Sequence, residues 1–121
     1  HPIHDSALLD NPNVVKCVIT RDGRALYFSR SRIPYPRNES PALTCWRHMG
    51  IYGFSRSFLE QFVAWPPSAL EIAESLEQLR ALENGASIHV VTADHESPGI
   101  DTPEQAAEVE ALLAGMARNN R

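Results

Sequence analysis

The segment VVKCVITRDGRALYFSR, residues 14–30, decides the fold of this chain. Two runs rich in β-branched and apolar residues flank the pair Asp22-Gly23, which is typical of the tight turn of a β-hairpin. The segment therefore predicts two antiparallel strands, Val14 to Thr20 and Ala25 to Arg30. Residues 1–13 are polar and contain two prolines, so they predict a loop that leads into the first strand.

Proline and glycine residues set the boundaries of the next elements. Residues 31–45 contain three prolines and predict a loop. A third strand is predicted near Trp46 to Phe54, where the glycines indicate a bend or a close approach of the backbone to another group. Ser57 to Trp65 is amphipathic and predicts a short helix that ends at Pro66-Pro67.

One longer helix is predicted after these prolines. Ser68 and Glu71 have the spacing of a capping box, and Gly85 suits the C-terminal end of the helix. Ile88 to Thr92 then predicts a strand, and Thr102-Pro103 predicts the start of a last helix. The predicted inward face of the helix after Ser68 consists of Leu70, Ala73, Leu76, Leu79 and Leu82. The predicted inward face of the last helix consists of Ala106, Val109, Leu112, Leu113 and Met116.

Length and composition indicate one globular domain. The chain has 121 residues, and a hydrophobic content of 43% is enough for a packed core. A run of strands followed by mixed helices and strands predicts an α+β or mixed α/β fold over residues 1–121. No apolar run approaches the ~18 residues that cross a bilayer and no signal-peptide pattern opens the chain, so we expect no membrane partner.

The first residue and the two cysteines add two expectations. The chain begins with His1 rather than Met, which is typical of a cut, processed or partial polypeptide. Cys17 and Cys45 lie far apart and outside any CxxC pattern, so neither a zinc site nor a redox motif is indicated. We therefore expect two reduced thiols in a cytoplasmic protein.

Charge is distributed unevenly along the chain, whose formal net charge is −4. Seven basic residues lie between Lys16 and Arg47, whereas eleven acidic residues lie between Glu60 and Glu110. A basic segment in an acidic chain favours a small anionic ligand over a nucleic-acid partner. The alternative is a solvated face rich in arginine.

Five polar clusters, most of them at or near the end of an apolar run, supply the candidate site residues. Their sequences are YFSR (27–30), IPYPR (33–37), RHMGIY (47–52), LEQLR (76–80) and SPGIDTP (97–103). Arg30 and Arg37 flank a proline-containing loop, where two guanidinium groups can hold a carboxylate through paired hydrogen bonds. These two arginines are therefore a candidate clamp for an acid.

The remaining clusters offer partners for hydroxyl groups. His48 and Tyr52 are four residues apart on the predicted third strand, so both can face one side and bind hydroxyls. Glu77 and Gln78 are neighbours on the predicted helix and diverge by ~100°, so one can point at a ligand that the other borders. Taken singly, each of these residues is more often structural than functional.

Two further residues have competing roles. Asp101 precedes a predicted helix start, where an aspartate is commonly a loop or capping residue. Arg80 lies three residues after Glu77, so the two can form a helical ion pair.

In this order, from about Pro2 to about Leu113, the clusters closely resemble the carboxy-terminal half of the 3-deoxy-manno-octulosonate cytidylyltransferases, the CMP-Kdo synthetases of lipopolysaccharide synthesis. The resemblance implies a mixed α/β, three-layer nucleotide-diphospho-sugar transferase fold. Of that fold this chain would supply the second half, which includes an antiparallel β portion. The reaction it implies is transfer of CMP from CTP to Kdo with release of pyrophosphate.

The resemblance also assigns roles to the candidate residues. It implies a magnesium cofactor (Mg2+) with one ligand, Asp101, in this half. It implies a homodimer and gives no catalytic acid or base to this half, His48 included. Its implied Kdo-binding residues are Arg30, Arg37, His48, Tyr52, Glu77 and Gln78.

The sequence departs from the family in three places. The glycine- and arginine-containing nucleotide loop and the central Gln-Gly-Asp-type segment, which supplies the other metal ligand, have no match here. The stretch between Arg37 and Trp46 is shorter than in some members. We therefore expect this polypeptide alone to lack cytidylyltransferase activity.

Two other functions remain open from sequence. One is a sugar-binding or dimerisation module without catalysis. The other is a cytidylyltransferase for another acidic sugar, such as a sialic acid or an amino-substituted Kdo. The matches at His48 and at Glu77-Gln78 favour Kdo over these sugars.

Overall fold

The predicted hairpin forms the centre of the protein. A computed structural model describes residues 1–38, 43–94, 100 and 103–119. Strands β1 (Lys16–Ile19) and β2 (Ala25–Ser29) pair antiparallel, with Cys17 opposite Phe28. Gly23 adopts a φ of 82° in the turn, a left-handed conformation that suits glycine. The hairpin prediction is therefore confirmed.

The third strand is much shorter than predicted. Strand β3 contains only Trp46–Arg47 and pairs with the free side of β1, which gives the sheet order β2-β1-β3. After one more bond, from the His48 amide to the Val15 carbonyl (2.8 Å), the chain turns at Met49–Ile51 and leaves the sheet. The prediction of a strand as far as Phe54 is wrong because that segment has no pairing partner among the described strands.

Helix α1 (Arg56–Ala64) confirms the predicted amphipathic segment. The Ser55 hydroxyl accepts a hydrogen bond from the Phe58 amide (3.3 Å), and the helix ends at Trp65, before the two prolines. All of its residues are at least partly exposed.

The prediction of a single long helix after these prolines is wrong. Two short helices, α2 (Ala69–Glu74) and α3 (Gln78–Glu83), take its place. The chain breaks at Ser75, whose φ of 52° and ψ of 51° are left-handed. The predicted end is correct, since Gly85 follows α3 with a φ of 78°.

The last two predicted elements also differ from expectation. Residues 88–92 form no strand, only an isolated bridge between His89 and Arg24. The last helix, α4 (Pro103–Asn119), forms as predicted. Its predicted inward face does not lie inward, because Ala106 is exposed and Leu113 is 61% exposed, while Val109 is half-buried. The side chains of Leu112 and Met116 lie outside the described part of the structure.

Arg80 joins the two short helices through an ion pair with Glu71. The sequence had indicated a helical ion pair with Glu77 instead. Its Nε and Nη2 atoms donate to Glu71 at 2.8 and 2.5 Å. The same carboxylate accepts a hydrogen bond from the Ser68 amide at 3.0 Å, and the Arg80 guanidinium also lies over the Phe62 ring. This bidentate pair holds α2 and α3 together across the break at Ser75.

The core lies between the hairpin and the two short helices. Its buried members are Cys17, Ala25, Phe28, Leu76 and Leu79. Both cysteines are free thiols, and burial raises the pKa of Cys17 to about 11, so this thiol is unreactive at neutral pH. Among the helices that the structure describes, none has the length and apolar content to cross a membrane.

Candidate functional site

Arg30 extends from the end of β2 to three backbone carbonyl groups. Its Nε donates to the Glu74 carbonyl (2.7 Å), Nη1 to the Pro12 carbonyl (3.0 Å) and Nη2 to the Ser75 carbonyl (3.3 Å). A guanidinium has five N–H donors, so one remains on each terminal nitrogen. Arg30 therefore anchors the backbone around the break, and two of its N–H donors take no part in these three bonds.

Arg37 has a different environment. Its side chain is exposed, and its backbone amide donates to the Tyr35 carbonyl at 3.0 Å. Among the contacts of the described residues, none joins the guanidinium groups of Arg30 and Arg37. The carboxylate clamp from these two arginines stays a prediction.

His48 and Tyr52 face each other, as expected, although neither lies on a strand. The Tyr52 hydroxyl and His48 Nε2 are 2.8 Å apart and share a hydrogen bond. The imidazole also packs edge-on against the buried Phe28 ring, with centroids 4.9 Å apart. This contact fixes the imidazole on the core, while the phenol extends from it.

The charge of the Glu77 carboxylate acts on both of these rings. Burial lowers the pKa of His48, and the Glu77 carboxylate opposes that shift. Burial also raises the pKa of Tyr52, and Glu77 adds to that increase. Glu77 is exposed and precedes the first residue of α3. The structure therefore joins two of the predicted residues, His48 and Tyr52, by a hydrogen bond, and the charge of the Glu77 carboxylate acts on both.

Gln78 follows Glu77 in the sequence, and its side chain is buried. It is 4% exposed, and its Nε2 has no hydrogen-bond partner in the described part of the chain. A buried amide donor without a partner is destabilising, by about 1–3 kcal/mol. Glu77 and Gln78 therefore diverge, one exposed and one buried, and the contact of either residue with a ligand stays a prediction.

Asp101 lies outside the described residues. Within the ranges that the structure covers, no group of three histidine, cysteine or carboxylate side chains comes together as a metal site. The assignment of a metal ligand to Asp101 stays a prediction.

Sequence reasoning missed Lys16 and Glu74, which organise the backbone around Arg30. Lys16 is fully buried, and its Nζ donates to the carbonyls of Asn11 (3.0 Å), Val14 (2.7 Å) and Arg30. The Glu74 carboxylate accepts from Ser29 Oγ and the Arg30 amide. A lysine at an inward position of an apolar strand is unusual, so the sequence offered a sign that Lys16 has a structural role. Glu74 offered no such sign, because an acidic residue on a helix is commonly solvated.

Acidification is expected to destabilise the fold through His48. Because burial lowers the His48 pKa below 6.5, the unfolded chain takes up a proton at a higher pH than the folded chain. Stability is therefore lost as the pH falls through about 6.5 towards the folded pKa. Glu77→Gln is expected to lower the folded pKa further, because a carboxylate that stabilises the imidazolium is removed.

The measurement is an NMR titration of the His48 imidazole in the wild type and in Glu77→Gln. Glu60→Gln is the matched control, because Glu60 pairs with Arg56 on the exposed face of α1. An unchanged or higher His48 pKa in Glu77→Gln would contradict the placement of this carboxylate.

The helices and the antiparallel sheet define a chain of mixed α/β class. Residues 1–88 match the sequence model of the family described as Cytidylyltransferase. The chain therefore belongs to the cytidylyltransferase family.

The chain is similar to proteins named 3-deoxy-manno-octulosonate cytidylyltransferase. The Chlorobium luteolum protein is 50% identical over 114 residues, which are 94% of this chain and 45% of that protein. The Geobacter sulfurreducens protein is 50% identical over 109 residues, 82% of this chain and 44% of that protein. The chain thus spans less than half the length of these relatives.

A solved structure agrees with these matches. It is described as CMP:2-keto-3-deoxy-manno-octonic acid synthetase complexed with CTP. The TM-score is 0.88 and the identity 42%, over 96% of this chain and 47% of that chain.

Proposed function

We propose that this chain is the sugar-binding half of an enzyme that transfers CMP from CTP to Kdo and releases pyrophosphate. The observation that carries the proposal is the hydrogen-bonded pair of His48 and Tyr52, on which the Glu77 charge acts, together with the buried Gln78 amide, whose Nε2 has no partner in the described part of the chain. These groups lie in a chain about 50% identical to Kdo cytidylyltransferases. Kdo carries one carboxylate and several hydroxyls, which these groups suit.

The polar groups divide between the two parts of the sugar. Arg30, through its two remaining N–H donors, and the exposed Arg37 would bind the carboxylate, since charge-assisted bonds to guanidinium are the strongest available here. His48, Tyr52 and Glu77 would bind hydroxyls, and the Gln78 amide would donate to a sugar oxygen. Because Glu77 is exposed and Gln78 is buried, together they can contact two sides of one ligand.

The remaining parts of the proposal concern the complete protein. The three-layer fold would be completed by the nucleotide-binding half, which this chain does not match. Asp101 would contribute one ligand to Mg2+, which neutralises charge on the transferred phosphate when it is bound. We further propose a cytoplasmic homodimer that works in lipopolysaccharide synthesis.

A chimera tests the proposal. The Chlorobium luteolum protein, with its matching segment replaced by this chain, is expected to form CMP-Kdo from CTP, Kdo and Mg2+. The 121-residue chain alone is expected to form none. In the chimera, Asp101→Asn should lose most of the activity, whereas Asp94→Asn, an exposed matched control, should not.

Three results would count against the proposal. Product from the isolated chain would contradict the half-site assignment. A folded chimera that is inactive would favour a non-catalytic module. A chimera that prefers a sialic acid over Kdo would change the substrate.

A further inference from the structure

Glu74 connects the end of α2 to the end of β2 through both its side chain and its backbone. Its Oε1 accepts from Ser29 Oγ at 2.6 Å, and its Oε2 accepts from the Arg30 amide at 2.9 Å. Its carbonyl accepts from Arg30 Nε at 2.7 Å. Ser29 is itself buried, at 3% exposed. Glu74 is therefore tied to the strand at three points.

The break that follows Glu74 sets the course of the next residues. Ser75 is left-handed, and its carbonyl accepts from Arg30 Nη2. The chain then places Leu76 in the core, leaves Glu77 exposed and buries Gln78. A continuous helix would place the last two residues differently, so their orientation depends on the break.

Both groups of candidate ligands thus depend on one residue. Arg30 is separated from Glu74 by 44 residues, and the carboxylate joins the strand end to α2 in addition to the bonds from the Arg30 side chain to the Glu74 and Ser75 carbonyls. We propose that Glu74 is a positioning residue that fixes the position of Arg30 relative to the Glu77-Gln78 pair. The inference rests on the proposed function, because it concerns the same sugar site. Glu74 itself contacts backbone, Ser29 and the Tyr27 hydroxyl, and no sugar contact is assigned to it.

The test compares three variants by NMR titration with Kdo. Glu74→Ala removes both acceptor oxygens, and its affinity for Kdo is expected to fall roughly tenfold, since small misplacements of binding groups are costly. Glu74→Gln is the conservative rescue: its amide oxygen can accept from the Arg30 amide while its NH2 donates to Ser29 Oγ. Its affinity should therefore be close to wild type. Glu60→Ala, on the exposed face of α1, should have no effect.

A destabilised control separates positioning from a merely structural role. Leu9→Ala removes a buried side chain outside the core cluster, so it should lower the stability without changing the affinity of the folded chain for Kdo. Equal weakening by Leu9→Ala, or wild-type affinity in Glu74→Ala, would overturn the inference. If Glu74→Ala does not fold, Ser29→Ala removes only one of the bonds and should give a smaller loss of affinity.

The His48 pKa gives a second readout that needs no sugar. If the break loosens, Glu77 moves away, and the His48 pKa in Glu74→Ala should fall towards its value in Glu77→Gln. Leu9→Ala should leave it unchanged, and the opposite pattern would overturn the inference. A wild-type chain that binds no Kdo would contradict the proposed function, and this readout would still decide the role of Glu74.

Discussion

Lys16→Met is expected to destabilise the chain by about 3 kcal/mol or more. Lys16 is buried completely, and its three ammonium donors are matched by three backbone carbonyl groups, two from the segment before β1 and one from the end of β2. Methionine fills a similar volume but removes all three hydrogen bonds; the Asn11 carbonyl keeps the Val14 amide as a donor (3.1 Å), whereas the bonds to the Val14 and Arg30 carbonyls are lost. Each unsatisfied buried acceptor costs about 1–3 kcal/mol. The loss should therefore exceed that of an ordinary surface change.

Urea denaturation measures this effect as a change in the free energy of unfolding. Arg21→Met is the matched control, because Arg21 is an exposed basic residue on the same hairpin and should be replaceable without a measurable loss. A Lys16→Met variant as stable as the wild type would show that the three carbonyls find other donors, and would contradict the structural role given to this ammonium.

Gln78→Leu is expected to change stability and binding in opposite directions. Leucine keeps the apolar contacts of this buried position and removes a donor without a partner, so the chain should gain about 1 kcal/mol or slightly more. Affinity for Kdo should fall roughly tenfold, as expected when a hydrogen bond worth about 1.4 kcal/mol is lost. A stabilising substitution that removes binding is the expected behaviour of a residue retained for function.

The two readouts are thermal or urea unfolding without ligand and an NMR titration with Kdo. Gln61→Leu, on the exposed surface of α1, is the matched control and should leave the affinity unchanged. Unchanged affinity in Gln78→Leu would remove Gln78 from the site. Lower stability in the same variant would show that its amide is already satisfied in the folded chain.

The sequence correctly predicted the turns and helix ends that are set by single proline and glycine residues. The Asp22-Gly23 turn, the proline stop after α1 and Gly85 at the end of α3 each require a residue with particular backbone freedom. These elements formed as expected. The identity of the family also followed from sequence, because five clusters in a fixed order are far more specific than any one of them.

The break at Ser75 could not be predicted because its cause is not local. The helical pattern continues through this residue, and serine has no special preference for a left-handed conformation. The break is stabilised by Arg30, 45 residues away, which binds the carbonyls of Glu74 and Ser75. The divergence of Glu77 and Gln78 was expected, but the burial of Gln78 and the tertiary contacts that produce it were not.

The site was predicted in part for the same reason. The approach of His48 to Tyr52 follows from their short separation, although the strand expected to carry them ends at Arg47. The effect of the Glu77 charge on these rings required the folded chain. The role of Arg30 was predicted only in part. A guanidinium suits both a carboxylate ligand and backbone carbonyls, and only the first had been expected.

The most direct test of the central claim is a titration of Kdo into the 15N-labelled chain, followed by NMR. We predict saturable shifts centred on His48, Tyr52, Glu77 and Gln78, with a dissociation constant of about 1 mM or tighter, the upper end of common substrate affinities. A neutral hexose, which lacks the carboxylate, should bind much more weakly. The absence of saturable shifts at these residues would contradict their assignment to sugar recognition.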